Sequence, residues 1–498
     1  MTFAAPTRST PFRPALLVCF VALAAIIAAP SASPAADDAQ PTDIGSRWEL
    51  FVDPAMIDQM QDVELELAQP KQAEIVLVTD AAWEGPTSGY YSVVQDGDIV
   101  RLYYRGYASG SDASENQMTC MAESRDGVHF TRPKLGIIEI DGSAENNAIW
   151  KGVESHNFAP FLDKNPDCPA DERYKALGGI RAGGTNWKGQ KVEPGLYAFG
   201  SSDGIHWRKL SDEPVMTKGA FDSLNLAFWD AARGRYACYS RIFTDGVRAV
   251  QSSHSSDFRH WSEPVANRYA EGVPMEHFYT SATTPAPGAE HLLLAFPKRF
   301  RPDRTKNPEH SDTGVSDAVF MSSRDGVNWD RTFLEAWVRP GLDQKNWTER
   351  SNMPAWGIAE TAPGEWSIYI SEHYRWPDNR LRRLVVPRHR LASVHADAEG
   401  GEFTTKPFTF DGEQLLLNYS TSAAGSVQVE VQDADGKPIE GFELANMPPL
   451  FGDELEAPIT WKTGADLSKL KGQPVRLRIK LKDADLYALK FGSKDDVP

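Results

Sequence analysis

Ser124-Arg125-Asp126-Gly127-Val128-His129-Phe130 decides the reading of this chain, because the chain writes the phrase four times. It returns as Ser201-Ser202-Asp203-Gly204-Ile205-His206-Trp207, then as Ser255-Ser256-Asp257-Phe258-Arg259-His260-Trp261. The last copy is Ser323-Arg324-Asp325-Gly326-Val327-Asn328-Trp329. Asp-Gly permits the positive φ of a tight hairpin turn, and the aromatic that follows can pack beneath the next strand. The copies start 77, 54 and 68 residues apart, in sequence rich in strand formers. One turn set repeatedly into such sequence predicts a repeat architecture, here a β-propeller. A propeller gathers one loop from each blade around an axial pocket, so the repeat also says where to look for function.

Around the turns, the sequence falls into five strand-rich groups. The first runs from Gly89 to Phe130, the second from Phe158 to Trp207 and the third from Leu224 to Trp261. The fourth holds Phe278 to Ser281, His291 to Phe296 and Ala318 to Met321. The fifth holds Ala355 to Ala359, Trp366 to Ile370 and Arg382 to Val386, and lacks the turn. Five groups predict five blades, with the early strand at Trp48-Glu49-Leu50 closing the last one. From Gly401 onward the segments alternate in short runs such as Val427-Gln428-Val429-Glu430-Val431, which predicts a β-sandwich. The expected fold is therefore all-β, with a five-bladed propeller over 47–394 and a sandwich over 401–498.

Ahead of the propeller, Arg8 and Arg13 precede the apolar run Ala15 to Ala29 and a small-residue stretch ending at Ala36. That order predicts a signal peptide over 1–36, followed by a polar leader over 37–46, and hence an exported, periplasmic or extracellular protein. The apolar run is shorter than the roughly 20 residues of a membrane span. Removing 1–36 takes away two arginines and no acid, so the formal charge of −17 becomes −19. Such acidity argues against nucleic acid and leaves glycans as the expected partner. Cys120, Cys168 and Cys238 then remain; three cysteines in a large chain imply no disulfide framework. No histidine or cysteine spacing specifies a metal, and no cofactor is expected.

A five-bladed propeller with Ser-x-Asp-Gly-x-x-Trp turns and a C-terminal sandwich resembles the furanosidase-like glycoside hydrolases, the invertase, fructanase and arabinanase group. The resemblance implies the propeller and hydrolysis of an O-glycosidic bond by two carboxylates. The Asn-Asp-Pro, Arg-Asp and Glu-Cys motifs of the invertase type are absent; Asp53-Pro54 follows a strand without the preceding Asn.

Candidate site residues lie just before each group's first strand. They are Glu84, His156-Asn157, Asp222, Glu276-His277 and Glu349. Glycoside hydrolysis needs one protonated and one ionised carboxyl group. The expected catalytic set is Glu276 as general acid, Glu84 as nucleophile or base, and Asp222 as the orienting carboxylate. Substrate-binding candidates are Arg105, His156, Asn157, Arg241, His277, Glu349 and His373. Arg105 and Arg241 end apolar strands at a similar offset and suit anionic sugar groups or the central acids. Lys298 and Arg299 read instead as surface or inter-blade ion pairs, and Trp347 and Trp376 as residues that stack on sugar rings. A non-catalytic propeller binding carbohydrate or protein is the alternative reading.

Overall fold

The computed structural model describes residues 41–107, 116–179 and 183–493. The expected signal peptide over 1–36 lies outside the described residues, as do residues 37–40 of the leader. The described chain is all-β apart from 3-10 turns a few residues long. None of its helices is long and apolar enough to cross a membrane.

Four of the five expected groups form continuous antiparallel sheets, three of them with their strands in chain order. The first comprises Gly89–Asp96, Ile99–Gly106, Met118–Ser124 and Ala148–Lys151. The second comprises Ala159–Leu162, Tyr174–Gly178, Tyr197–Ser201 and Arg208–Lys209. The third comprises Leu226–Asp230, Arg235–Thr244, Val247–Ser255 and Val265–Ala266. The fourth is broken across its middle. One half pairs His277–Phe278, Lys298–Arg301 and Val315–Ala318, and the other Thr284–Ala286, Ala289–Ala295 and Met321–Ser323. The fifth joins Ala359–Ala362, Glu365–Glu372 and Arg380–Pro387 to Lys71–Val78.

That last pairing corrects one expectation. Lys71–Val78 supplies the outer strand of the fifth sheet, whereas Trp48–Leu50 pairs with the C-terminal strand Val475–Gly492, Trp48 lying opposite Lys490. Ile57–Gln61 and Glu64–Leu67 likewise pair with Gly401–Thr405 and Ala392–Ala396. Thr42–Asp43, inside the expected leader, runs parallel to Phe408–Thr409. The N-terminal strands thus complete the C-terminal sheet, where Ile44, Phe51 and Met56 are buried among Phe403, Phe408, Val429 and Ile479.

The repeated turn is a local network that the sequence dictates. In the first copy the Asp126 carboxylate accepts from the backbone N–H groups of Val128 and His129 and lies 2.7 Å from His129 Nδ1. Ser124 Oγ accepts from Gly127 N. Copies two, three and four repeat the backbone bonds to Asp203, Asp257 and Asp325. The glycine has a second duty. Its carbonyl accepts a buried tyrosine hydroxyl from the preceding sheet: Tyr369 to Gly127 at 2.7 Å, Tyr103 to Gly204 at 3.1 Å and Tyr239 to Gly326 at 2.9 Å. Each glycine holds a left-handed φ, +69°, +75° and +83° in turn, and a Cβ would meet that tyrosine's oxygen at 2.6–2.9 Å. Glycine is needed both for the backbone angle and for the approach.

Bonds between the first strands of neighbouring sheets set their ends side by side. Val93 N donates to Trp356 O, Trp356 Nε1 to Thr283 O, Ser223 Oγ to Tyr279 O and Asn157 Nδ2 to Phe221 O. A cavity of about 470 Å³ is lined in part by Trp366 of the fifth sheet's second strand and by Phe161, Phe228, Pro285 and Trp356 on or beside the first strands. Their earlier ends carry the polar residues considered next.

Candidate functional site

Asp222 is the carboxylate that the fold leaves open. It precedes the first strand of the third sheet, and its side chain is 56 % exposed. Its Oδ1 accepts from His156 Nε2 at 2.8 Å and from the Tyr90 hydroxyl at 3.4 Å, while Arg241 stands 4.0 Å from Oδ2. Partial burial works to raise its pKa. The His156 hydrogen bond, with the charges of His156, Arg241 and Arg350, outweighs this and holds Asp222 well below the usual carboxylate range.

His156 is buried, and desolvation lowers its pKa. Its Nε2 faces Asp222 Oδ1 at 2.8 Å, and its Nδ1 lies 3.4 Å from Arg105 Nη1 and 2.8 Å from Gln117 Oε1. Arg105 is buried too. It donates to Thr87 O and the Tyr374 hydroxyl and lies 4.8 Å over the Tyr90 ring. Asn157 instead bonds backbone, giving to Phe221 O and accepting from Gly179 N, so it ties strands together beneath the site.

Tyr279, which the sequence reading passed over, is the hub of the other half. Four cations surround its ring: Lys298 at 3.9 Å, Arg241 at 4.9 Å, Arg248 at 5.4 Å and Arg350 at 6.0 Å from the centroid. Lys298 is fully buried and ion-paired, so of its expected surface or inter-blade pairing the surface half does not hold. Burial brings its pKa down to about 8 against the pull of Glu349, 3.3 Å away. Glu349 is buried between Lys298 and Arg350; desolvation raises its pKa, and the two cations more than reverse that. Asp312, from the loop after Lys298–Arg301, is raised by burial against the charges of Arg350 and Arg375, the latter 3.1 Å away. Its Oδ2 is buried and has no hydrogen-bond partner among the described residues.

Backbone strain marks the same region. Tyr90, Arg350, Asn352, His373 and Arg375 hold left-handed φ between +55° and +63°. Such angles cost a non-glycine residue about 1–3 kcal/mol each and gather where the surroundings enforce a functional geometry.

Other expected residues lie elsewhere. Glu84 is buried under Arg132, whose Nε and Nη2 donate to it at 2.9 and 2.8 Å, and the Tyr104 hydroxyl also binds it. Glu276 is held between Arg299 and Arg331 at 3.1 and 2.8 Å, and Arg299 also grips Asp317. Among the described residues Glu84, Asp222 and Glu276 share no hydrogen-bond or ion-pair partner. His277 Nδ1 accepts from Arg248 N at 3.2 Å, beside the Tyr279 cluster. His373 bridges Asp343 and Asp378 at 2.8 Å each. Trp376 packs on His310, and Trp347 donates to Gly341 O. Asp53 pairs with Arg324 of the fourth turn at 3.0 Å. Cys120, Cys168 and Cys238 are free thiols.

No family model and no curated protein matches this chain. Solved structures resemble it at low identity. A protein described as a glycoside hydrolase covers 64 % of this chain and 92 % of its own length at 12 % identity, with a TM-score of 0.42. An N-acetylgalactosamine deacetylase from F. plautii, in complex with blood group B trisaccharide, covers 64 % and 94 % at 14 % identity and TM-score 0.40. A β-1,2-mannobiose phosphorylase from Listeria innocua covers 66 % and 98 % at 11 % identity and TM-score 0.42. Likenesses this distant assign no activity to the chain.

Proposed function

We propose that this is an exported glycoside hydrolase built on a five-bladed β-propeller with a C-terminal β-sandwich, cutting an O-glycosidic bond at the polar end of the first strands. The propeller reading is supported by five successive sheets that touch in sequence, the fifth returning to the first through Tyr369 and Gly127. The single observation that carries the catalytic reading is Asp222, an open carboxylate kept ionised among residues of at least four sheets. Asp222 takes the role of nucleophile or base. Asp312 takes the role of proton donor, since burial favours its neutral form and its buried oxygen has no partner. Glu84 and Glu276 become structural, because arginine holds both carboxylate oxygens of each, whereas Arg375 holds only Oδ1 of Asp312.

The test is reducing-end release from a panel of plant, algal and bacterial glycans. Asp222→Asn removes activity by at least about a thousandfold without loss of folding, and Glu276→Gln leaves most of it. Full activity in Asp222→Asn would refute the assignment. A non-catalytic glycan-binding propeller is the second reading, favoured by the cations that occupy Glu349 and Glu276. It predicts binding without release by any variant.

A further inference from the structure

The cations around Tyr279 outnumber the carboxylates that serve them. Lys298 and Arg350 share Glu349, and Arg241 reaches Asp222 only at 4.0 Å. Arg248 meets no carboxylate among the described residues. Its backbone N–H and Nη1 face His277 Nδ1 at 3.2 and 3.5 Å, and its buried Nε has no hydrogen-bond partner there. Arg105, beside the same cluster, is bonded to a carbonyl and a phenol, both neutral, and its Nε is likewise buried and unbonded. Among the described residues five cations therefore face two carboxylates, and Asp312, which feels both Arg350 and Arg375, adds a third carboxylate against a sixth cation. Holding unmatched charge away from water costs several kcal/mol per ion unless an opposite charge arrives. Guanidinium groups answer that need best with a planar or tetrahedral oxyanion, which they can grip through paired N–H donors.

We propose that the cations gathered on Tyr279, with Arg248 and Arg241 foremost, form a pocket for an oxyanion carried by the glycan, a sugar carboxylate or sulfate ester. The proposal rests on the glycosidase reading and names its substrate class: an acidic glycan. It also resolves a conflict in charge. The chain as a whole is strongly acidic, with a formal charge of −17, and would repel an acidic polymer. The cation cluster is the local exception that such a polymer needs.

Binding, measured by calorimetry on the full chain, tests this independently of turnover. The probes are galacturonic acid, galactose 6-sulfate, galactose, inorganic phosphate and inorganic sulfate. Either charged sugar binds at least tenfold tighter than galactose. Arg248→Gln lowers that affinity at least tenfold, and Arg248→Lys, which keeps the charge but not the fork, lowers it less. Asp222→Asn retains or tightens charged-sugar binding while removing glycan release. If that binding persists with no release by the wild type, the pocket stands and the hydrolase reading falls. Equal affinity for galactose and both charged sugars would overturn the proposal, as would unchanged affinity in Arg248→Gln. Phosphate or sulfate ions that bind as tightly as the charged sugars would overturn the assignment to a glycan substituent and leave a site for a free ion.

Discussion

Gly204→Ala is a direct measure of how the repeated turn holds neighbouring sheets together. The new Cβ would fall 2.6 Å from the Tyr103 hydroxyl, 2.8 Å from the Arg101 guanidinium and 3.1 Å from the Tyr174 ring. Three effects then add. Alanine at φ +75° costs about 1 kcal/mol. Forcing apart a packed contact costs about 1–3 kcal/mol. Losing the Tyr103 to Gly204 hydrogen bond costs about 1 kcal/mol. The expected loss is about 3–5 kcal/mol on these magnitudes. Gly234→Ala supplies the control, because Gly234 has φ +60° and a Cβ there would meet no atom within 4 Å. It should lose only the backbone part, about 1 kcal/mol. Urea unfolding followed by tryptophan fluorescence gives both values by linear extrapolation. Adding Tyr103→Phe to Gly204→Ala should cost less than the two single changes summed, because the phenol oxygen is the main obstacle. If Gly204→Ala proves no more harmful than Gly234→Ala, the turn does not dock its neighbour and the reasoning fails.

Two further outcomes are expected. His389 is buried between Trp48 and Trp366, and burial lowers its pKa to about 4. Below its unfolded value of about 6.5 the unfolded chain binds the extra proton, so stability is full above that pH and falls by roughly 3 kcal/mol toward pH 4. Chemical unfolding across that window should show the slope, and His389→Gln should flatten it. Glu84→Gln leaves Arg132 without its buried counter-charge, and a loss of about 2 kcal/mol is expected, less than for a fully buried pair because Arg132 is partly exposed. Urea midpoints check this.

The turns were legible because their bonds are local: serine, aspartate and glycine act within three residues of one another. The pairing of Trp48–Leu50 with Val475–Gly492 was not, since an edge strand carries no mark of a partner more than 400 residues away. His156 and Asp222, from just before first strands, lie beside Arg105 and Arg241, from second strands. Lys298 and Arg299, read together as ion pairs, part ways because neighbours on a strand point to opposite faces. Lys298 turns inward to Tyr279 and Arg299 outward to Glu276 and Asp317. Asp312 lies between strands, where no period points to its environment. Tyr279 carried no signal of its own, because only the folded chain assembles cations from separate strands around it.

The sheet shared by the two ends of the chain also sets a clock. Ribosomes add about 5–20 residues per second, so roughly 20–90 seconds separate the synthesis of Trp48 from that of Lys490, its partner. For that interval Trp48–Leu50 is a strand without its neighbour, and Ile57–Gln61 and Glu64–Leu67 wait for Gly401–Thr405 and Ala392–Ala396, leaving Phe51 and Met56 exposed meanwhile. The nascent chain must therefore be kept from aggregating until its last strand emerges, and a chain interrupted before Val475 releases its first strands as sticky, unpaired edges.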